Sequence, residues 1–563
     1  MTNDAISRRG FVGLGLMMGA GTIGAGLAGC APSTGSTSAE SDLSDTGQAV
    51  AEDWLGAEPQ IDEIAETKTV DLLIIGAGNA GLAAAATAAD LGLDFMLCEK
   101  SGAVQGARMW IGAVNTKYHD AASIEVDEGK LLNELARYAS FKCNQRVWRT
   151  WIRESAEMID WLDGIMGAEA ELDTVGYDHA TGGTDYYVPP IQHMYSMDAD
   201  DRNSVLEAYI NAKGHEVSFG HELVKLLREE SGPVTGAIFA TDNGYTQVNA
   251  ANTILATGGY PANRAMVRSL APIITQCVTA DGFMPGNDGS GIKAGLWAGA
   301  KMDAECAPMI FDRGAVLPGT DAGYESDDDD ACFQSTYGGI GQFGMGSQPF
   351  MKVSRHGRRF ANESTPYDFI CHAAAQQPGG VWCQIFDANA VEDMNRFSTV
   401  GCSKGALMPF MGGAPIDEAF ADELERGFVV KADTIEELAD GLGFTDNAKS
   451  AFIEEVDRYN IFYDNQFDED FGKEAFRLSS LKTPPFYGCW YGGTLLMTVD
   501  GLCINEDMQV LDEASNVIEG LYAAGDCSGS LFSGNYPEYL VGCACGRTVT
   551  FGRHAVKHAA GQL

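Results

Sequence analysis

The stretch VDLLIIGAGNAG, residues 70–81, decides the fold. Its first six residues form a short apolar run that ends at a glycine, as a buried strand of a parallel sheet does. Gly76, Gly78 and Gly81 then permit a tight turn, a close approach of the backbone to a pyrophosphate, and close packing of helix on strand. The helix expected over residues 83–91 directs its N-terminus toward the phosphates. The stretch therefore predicts an α/β domain that binds a dinucleotide.

The next strand supports the same interpretation. DFMLCEK, residues 94–100, ends in Glu99, near the expected ~20 residues beyond the glycines, where a carboxylate accepts hydrogen bonds from ribose hydroxyls. Two later strings, ANTILATGGYPAN (residues 251–263) and EGLYAAGD (residues 519–526), are again apolar runs that end in glycine turns. Their wide spacing indicates that the domain is split along the chain.

Length, charge and cysteine spacing narrow the class of protein. At 563 residues the chain exceeds the size at which one core keeps growing, so two lobes or an inserted domain are expected. With 79 acidic and 37 basic residues the net charge is -42, which argues against nucleic acid and anionic membranes as partners. The fourteen cysteines include no CxxC or CxxCH spacing, so no covalent haem, zinc knuckle or ferredoxin-type cluster is indicated. A cluster built from scattered cysteines stays open.

The N-terminal residues have the pattern of a targeting signal. SRRGFV, residues 7–12, pairs two arginines with an apolar stretch, the form of a twin-arginine export signal for residues 1–30. The string LAGC resembles a lipobox, which predicts a lipid on Cys30 and an exported protein anchored to the membrane; a plain transmembrane anchor is the alternative. Residues 31–69 are rich in Ser, Thr, Ala, Asp and Glu and are expected to form a flexible linker.

Further strings extend these motifs over the rest of the chain. They include NDGSGIKAGLWAGA (residues 287–300), RHGRRFANE (residues 355–363) and TFGRHA (residues 550–555). Together, from residue 70 onward, they resemble the flavoproteins of the fumarate reductase and succinate dehydrogenase family. The resemblance implies a Rossmann-like FAD domain, residues 70–308 and 490–563, interrupted by a smaller α+β capping domain, residues 309–489, with the substrate held between the two.

The resemblance also implies the FAD contacts. Glu99 is expected to hold the adenosine ribose, Asp526 the ribityl chain, and Gly106, Ala107 and Asn115 to line the flavin. The histidine that carries covalent flavin in membrane-complex members is missing from EKSGAVQGARM, so FAD is expected to bind non-covalently. The full set of expected FAD positions is Gly76, Gly78, Ala80, Gly81, Glu99, Lys100, Gly106, Ala107, Asn115, Val224, Ala256, Thr257, Gly258, Asp288, Gly525, Asp526 and Cys543.

Three positions depart from the fumarate reductase pattern. The proton-donating arginine of NExxxR falls on Tyr367 in NESTPY, the active-site histidine on Met497, and the arginine that clamps the carboxylate on Tyr539. Each charge-assisted partner of a buried carboxylate is worth roughly 1.5–3 kcal/mol, so losing three argues against fumarate as substrate. Arg108, Arg313 and Arg547 stay open as cations that compensate from elsewhere, although none is at a matching position.

The replacements favour a neutral or weakly polar substrate. A phenol is protonated at pH 7 and can give a proton to a carbanion or enolate. In this respect the site resembles the ketosteroid dehydrogenase branch and the exported ene-reductases of anaerobic bacteria. The hypothesis is hydride transfer from flavin N5 to the β-carbon of a steroid-like enone or aromatic acrylate, with the α-proton from Tyr367.

Other side chains receive supporting roles in this hypothesis. Tyr539, together with Tyr536, polarises the substrate carbonyl, and Met497 forms pocket wall. Glu363 and Arg359 are either functional or an ion pair that holds the cap on the FAD domain.

Three alternatives remain. The same chemistry can run in reverse, as a dehydrogenase of a ketone; the enzyme can act on a dicarboxylate like fumarate reductases; or the chain can relay electrons without catalysis. Because only one dinucleotide site is visible, electrons are expected from a separate cytochrome or quinol-oxidising membrane protein, with this chain as terminal reductase.

Overall fold

The computed structural model describes residues 54–177, 186–282, 286–323 and 339–563. The predicted export signal with Cys30, and the linker up to residue 53, lie outside the described residues. None of the described helices is long and apolar enough to cross a membrane.

The described strands are, in chain order, β1 (Glu66–Ile75), β2 (Phe95–Cys98), β3 (Ile111–Gly112), β4 (Glu171–Leu172), β5 (Gln192–Met194), β6 (Val217–Ser218), β7 (Glu222–Arg228), β8 (Val234–Thr241), β9 (Gly244–Leu255), β10 (Val278–Asp281), β11 (Pro308–Val316), β12 (Met351–Val353), β13 (Trp382–Phe386), β14 (Val429–Ala432), β15 (Phe486–Thr498), β16 (Gln509–Leu511) and β17 (Val517–Ala523).

The described α-helices are α1 (Asn79–Leu91), α2 (Lys117–Ala122), α3 (Glu128–Tyr138), α4 (Gln145–Met166), α5 (Arg202–Ala212), α6 (Arg264–Leu270), α7 (Ile273–Cys277), α8 (Ser290–Trp297), α9 (Tyr367–Ala374), α10 (Ala390–Phe397), α11 (Ile416–Ala419), α12 (Ala421–Glu425), α13 (Ile435–Gly441), α14 (Asp446–Asn465) and α15 (Cys543–Ala559).

The larger sheet is the predicted dinucleotide fold. Five strands run parallel in the order β17-β9-β1-β2-β6, with β16 antiparallel at one edge and the β7–β8 hairpin joined to β9. The three strands that end in glycine turns, β1, β9 and β17, are neighbours, although they are far apart in sequence. Their turns therefore meet at one edge of the sheet, and the α/β fold class is confirmed.

Strand β1 is longer than its apolar run. Leu72–Ile75 are buried, and they pair with β2 on one side and β9 on the other. The strand begins at Glu66, four residues before the expected start, because Glu66–Val70 pair with Thr246–Ala250. The linker predicted for residues 31–69 therefore ends before residue 66. Its bound at residue 69 rested on hydrophilic composition, which does not show that Glu66–Thr69 pair with β9.

Helices α1 and α15 pack together behind the larger sheet. A Cβ added at Gly552 would lie 2.3 Å from the carbonyl oxygen of Ala80. Only glycine allows this approach, which explains the glycine of the TFGRHA string. The C-terminal helix is thereby fixed against the helix that begins at the phosphate turn.

The second sheet forms the centre of the cap and extends beyond its predicted bounds. Its long buried strand, β15, pairs with β10, β11, β13 and β14. The sheet thus includes β10, which precedes residue 309, and β15 continues past residue 489 to Thr498. The boundaries at 309 and 489, which the family resemblance implied, fall within β11 and β15 of this sheet, and the domain division stays a prediction. A separate small antiparallel sheet has the order β3-β5-β4.

Candidate active site

A cavity of about 1160 Å³ is lined by residues of both large sheets and their connecting loops. The turns after β1, β2, β9 and β17 contribute one set of lining residues. Residues of β11, α9, β15 and the 3-10 segment Gly401–Phe410 contribute the other. The cavity therefore joins the dinucleotide edge of the larger sheet to the cap.

The turn after β1 is open toward this cavity. Helix α1 begins after Gly78, and no side chain caps its N-terminus, so its first backbone N–H groups are available to a phosphate. A Cβ at Gly81 would lie 1.7 Å from the carbonyl oxygen of Gly76, so this helix approaches the strand through glycine. Both properties are those that a pyrophosphate site requires.

The Glu99 carboxylate is held rigidly at the next turn. It is 7% exposed and accepts hydrogen bonds from the backbone N–H of Ala77 at 2.8 Å and of Ser101 at 2.9 Å. A carboxylate offers about four lone-pair positions, so Glu99 can still accept from ribose hydroxyls. The neighbouring Lys100 forms an ion pair with Asp288 at 2.8 Å. Burial alone would raise the pKa of Asp288, but the Lys100 charge lowers it below its usual value.

Most of the predicted FAD positions come together here. Those that line the cavity are Gly76, Gly78, Ala80, Glu99, Lys100, Gly106, Ala107, Ala256, Thr257, Gly258, Gly525 and Asp526. Sequence reasoning missed His221 and Leu223, which also line it. The glycine cradle, the uncapped helix and the fixed carboxylate fit FAD.

Five predicted FAD positions are absent from the cavity lining of the described chain, each for a local reason. Gly81 packs on Gly76, and Asp288 contacts Lys100 instead. The Asn115 side chain bonds the backbone of Val126.

At the remaining two positions, Val224 and Cys543, neighbouring residues line the cavity instead. On β7 the lining residue is Leu223 and not Val224, because neighbouring residues of a strand face opposite sides. The Cys543 thiol donates to the hydroxyl of Tyr536 at 3.5 Å, and the adjacent Ala544 and Cys545 line the cavity instead.

Tyr367 stands where the cap meets the cofactor positions. Pro366 caps α9, and Tyr367 is its first residue, 6% exposed, with its ring 4.5 Å from that of Phe311. Burial raises the pKa of Tyr367 well above its usual value, so the phenol stays protonated at neutral pH. Tyr536 and Met497 line the same cavity. The Tyr536 oxygen accepts from Cys543 and from the N–H of Ala544, which leaves its own proton to donate.

Tyr539 does not share this cavity. Its hydroxyl donates to the carbonyl oxygen of Ser364 at 2.6 Å, and its ring packs edge-on against Tyr186. It lines a separate polar pocket of about 30 Å³. The expected role of Tyr539 in polarising a substrate carbonyl is therefore corrected, since its hydroxyl is engaged behind the cavity wall.

Arg359 and Glu363 also lie away from the cavity. Arg359 pairs with Glu363 at 2.7 Å and with Asp468 at 2.8 Å, and Lys473 approaches Glu363 at 3.4 Å, all with fully buried side chains. Burial would raise the pKa of Glu363, but the charges of Arg359 and Lys473 lower it to about 2. All four residues belong to the cap, so this network holds the cap together and does not tie it to the FAD domain.

Two guanidinium groups line the cavity, those of Arg108 and Arg313. The three motif positions hold no cation, as the sequence shows. The inference that the pocket therefore lacks positive charge was wrong, because these two arginines lie on other parts of the chain. Arg313 is 6% exposed, and its Nε donates to Ser347 at 2.7 Å. Its guanidinium carbon lies 4.9 Å from the ring centre of Phe311 and 5.7 Å from that of Tyr367.

Arg547, the third candidate for a compensating cation, already forms an ion pair with a protein carboxylate. Its buried guanidinium pairs with Asp526 at 2.6 Å, and it does not belong to the described lining of the cavity. Its charge therefore supports the expected ribityl position and does not face a substrate.

Glu538 is a site residue that sequence reasoning missed. It is buried, accepts from the N–H of Tyr367 at 3.2 Å, and lines both the large cavity and the polar pocket. Burial, with the nearby Asp368 and Asp312, raises the pKa of Glu538 well above its usual value. The available signal was a lone acidic residue inside the apolar string NYPEYLVG.

Comparison with known proteins agrees with this geometry. Residues 71–539 match the family model described as FAD binding domain. The chain belongs to this FAD binding domain family. FAD is its cofactor, and the chain is an oxidoreductase of the fumarate reductase-like kind.

Similar members support the expected resemblance. The chain is 28% identical over 509 residues to the vinyl phenol reductase of Lactiplantibacillus plantarum, covering 88% of this chain and 97% of that protein. It is 26% identical over 542 residues to a fumarate reductase (cytochrome) of Shewanella frigidimarina, covering 91% of this chain and 79% of the relative. The 3-ketosteroid-delta4-(5alpha)-dehydrogenase of Rhodococcus jostii RHA1 has the same fold, with a TM-score of 0.66 at 19% identity over 89% of this chain and 98% of that one. The expected family is confirmed.

Proposed function

We propose that this enzyme reduces a carbon–carbon double bond conjugated to a carbonyl group. The observation that carries the proposal is the buried phenol of Tyr367, which lines one cavity together with the FAD positions Gly106, Ala107 and Asp526. The vinyl phenol reductase among the relatives supports reduction of a carbon–carbon double bond, whereas the conjugated carbonyl is part of this proposal alone. The substrate class is an enone or an aromatic acrylate.

FAD and the side chains of the protein have different parts in the proposed reaction. FAD, held by the glycine turn after β1, Glu99 and Asp526, would supply the hydride that the β-carbon of the alkene accepts. Negative charge then develops on the α-carbon and the carbonyl oxygen. Tyr367 gives its phenolic proton to the α-carbon, and Tyr536 donates a hydrogen bond to the carbonyl oxygen. The double bond gains one hydride and one proton, and the phenol recovers its proton from the protein interior or solvent.

Apolar walls suit a conjugated substrate. Met309, Phe311, Phe343, Leu496 and Met497 line the cavity near the cap. Such side chains favour planar apolar surface and exclude water from the reacting atoms.

Localisation and electron supply follow the sequence expectations. We propose export by the twin-arginine route, a lipid on Cys30, non-covalent FAD, and electrons from a cytochrome or a quinol-oxidising membrane protein. The supporting features are SRRGFV, LAGC and the missing flavin-carrying histidine. Growth with radiolabelled fatty acid tests the anchor: the wild type is expected to incorporate label and Cys30→Ala to incorporate none.

An anaerobic assay with reduced viologen tests the reaction. The holoenzyme is expected to oxidise viologen with 4-hydroxycinnamate or a cyclic enone, in proportion to the saturated product identified by mass spectrometry. Fumarate is the comparison substrate and is expected to turn over at least about 100-fold more slowly, the cost of losing about 3 kcal/mol of carboxylate contacts. Equal rates with fumarate, or no alkene reduction by any compound, would refute the proposal.

A further inference from the structure

We propose that Arg313 binds the carboxylate of the substrate, so that the enzyme prefers aryl acrylate anions over their neutral esters and over uncharged enones. This inference rests on the proposed function and names its substrate class. It reverses the expectation of an uncharged acceptor drawn from the three motif positions.

The first observation is an unsatisfied donor. Arg313 Nη2 is buried and has no hydrogen-bond partner among the described residues, whereas Nε is bonded to Ser347. Ser347 in turn donates to Asp312 at 2.5 Å, which fixes the orientation of the guanidinium. Buried donors without partners are rare in native proteins and indicate a ligand or an ordered water. A carboxylate supplies the missing acceptor.

The second observation is the charge balance around Arg313. No salt bridge to Arg313 occurs within the described ranges of the chain, and burial raises the pKa values of the two carboxyls that interact with it electrostatically, Asp312 and Glu538, which disfavours their charged forms. A buried positive charge without a counter-ion favours an anionic ligand. Ester and ketone oxygens accept hydrogen bonds but carry no charge to pair with it.

The third observation is the position of Arg313 relative to the proton donor. Its guanidinium lies beside the contacting ring pair of Phe311 and Tyr367, at 4.9 and 5.7 Å from their centres. In an acrylate the α-carbon is bonded directly to the carboxyl carbon. A carboxylate on Arg313 therefore brings the α-carbon toward the phenol of Tyr367 and turns the aryl group toward the apolar wall. As the β-carbon receives hydride and the α-carbon a proton, Arg313 stabilises the charge that develops on the carboxylate oxygens.

The site matches one carboxylate and not two. Arg108 lies at the exposed loop after β2, where solvent screens its charge, and its Nη2 reaches the carbonyl oxygen of Leu496 only at 3.4 Å. Met497 and Tyr539 stand where fumarate reductases have the active-site histidine and the arginine that clamps a carboxylate. A monocarboxylate with a planar apolar group is the class that fits.

The test compares 4-hydroxycinnamate with its methyl ester in wild type, Arg313→Gln, Arg313→Lys and the control Arg146→Gln, an exposed arginine outside the described cavity lining. Wild type is expected to favour the acid in kcat/KM by about 10- to 100-fold, the range of one or two charge-assisted bonds. In Arg313→Gln the acid should lose that advantage, mainly through KM, and the ester should change by less than about threefold. Arg313→Lys should recover part of the preference because it keeps the charge, and Arg146→Gln should keep all of it.

A binding measurement guards against a folding defect. Calorimetric titration of the oxidised holoenzyme with the saturated product, 4-hydroxyphenylpropionate, should show the same loss of affinity in Arg313→Gln while FAD content stays at wild-type level. Equal losses for acid and ester, or a wild type that favours the ester, would overturn the assignment of Arg313. Reduction of the ester alone would leave the proposed function standing, whereas failure of both compounds and of enones would remove that function as well.

Discussion

Tyr367 and Arg313 show, at the scale of the residue, what a motif can and cannot predict. Tyr367 lies inside NESTPY, and its place in the cavity follows from the position of that string. Arg313 belongs to no motif and reaches the cavity only because β11 pairs with β15. The loss of cations at the motif positions was readable from sequence, and Arg313 was one of three candidates for a compensating cation, but strand pairing decides which candidates face the cavity.

Glu538 has a consequence for stability that depends on pH. Its pKa is raised in the folded state by burial and by Asp368 and Asp312, so its protonated form is the one that the fold favours. This contribution is fully present below the ordinary carboxyl pKa of about 4.3 and is lost as pH rises toward the raised value. In wild type the free energy of unfolding should fall as pH rises above about 4.3. Glu538→Gln should reduce the slope of this fall by up to about 1.4 kcal/mol per pH unit.

Urea unfolding of the holoenzyme at a series of pH values measures this slope. Asp312 and Asp368, whose pKa values burial also raises, keep their contributions in the variant. Parallel stability profiles for wild type and Glu538→Gln would show that Glu538 is ionised in the folded protein.

At the scale of the element, RHGRRFANE joins two adjacent arginines with different surroundings. Arg359 is fully buried between Glu363 and Asp468, whereas Arg358 is 45% exposed and pairs with the exposed Glu454 and the buried Glu455 of α14. The sequence left open whether Arg359 and Glu363 catalyse or stabilise. Burial within the cap, away from the cavity, favours stabilisation.

Arg359→Met should therefore destabilise the protein by about 3–5 kcal/mol, because it removes the cation that two buried carboxylates share. Arg358→Met is the matched control and should cost less than about 1 kcal/mol, as exposed ion pairs do. Thermal unfolding of both variants gives the comparison, with flavin content as a check on the FAD domain. Equal costs for the two substitutions would mean that burial of the Arg359 network adds no stability.

At the scale of the whole molecule, the sequence predicted the FAD domain better than the cap. The three glycine turns follow β1, β9 and β17, and each turn is a local signal that survives wide separation in the chain. The cap boundaries depended on the long strand β15, which belongs to one sheet but crosses the expected border at residue 489. The shape of the cavity depends on contacts between both sheets, which no local signal reports.

Non-covalent FAD gives a prediction about the whole enzyme. Acid precipitation should release all flavin into the supernatant and leave none in the pellet. Added FAD should also raise the Tm of the apoprotein. At a hundredfold excess of FAD over Kd, the free energy of unfolding should rise by about 2.7 kcal/mol. Flavin fluorescence that remains with the washed pellet would contradict non-covalent binding.

The most direct test of the central claim is the rate at which an aryl acrylate reoxidises the reduced flavin in a single anaerobic turnover, followed by absorbance. Tyr367→Phe should slow this rate by about 100- to 10,000-fold, the range of general acid catalysis. Tyr539→Phe, whose hydroxyl lies outside the cavity, should stay within about threefold of wild type unless the lost bond to Ser364 disturbs the fold, which flavin content reports. Wild-type reoxidation in Tyr367→Phe would contradict the account.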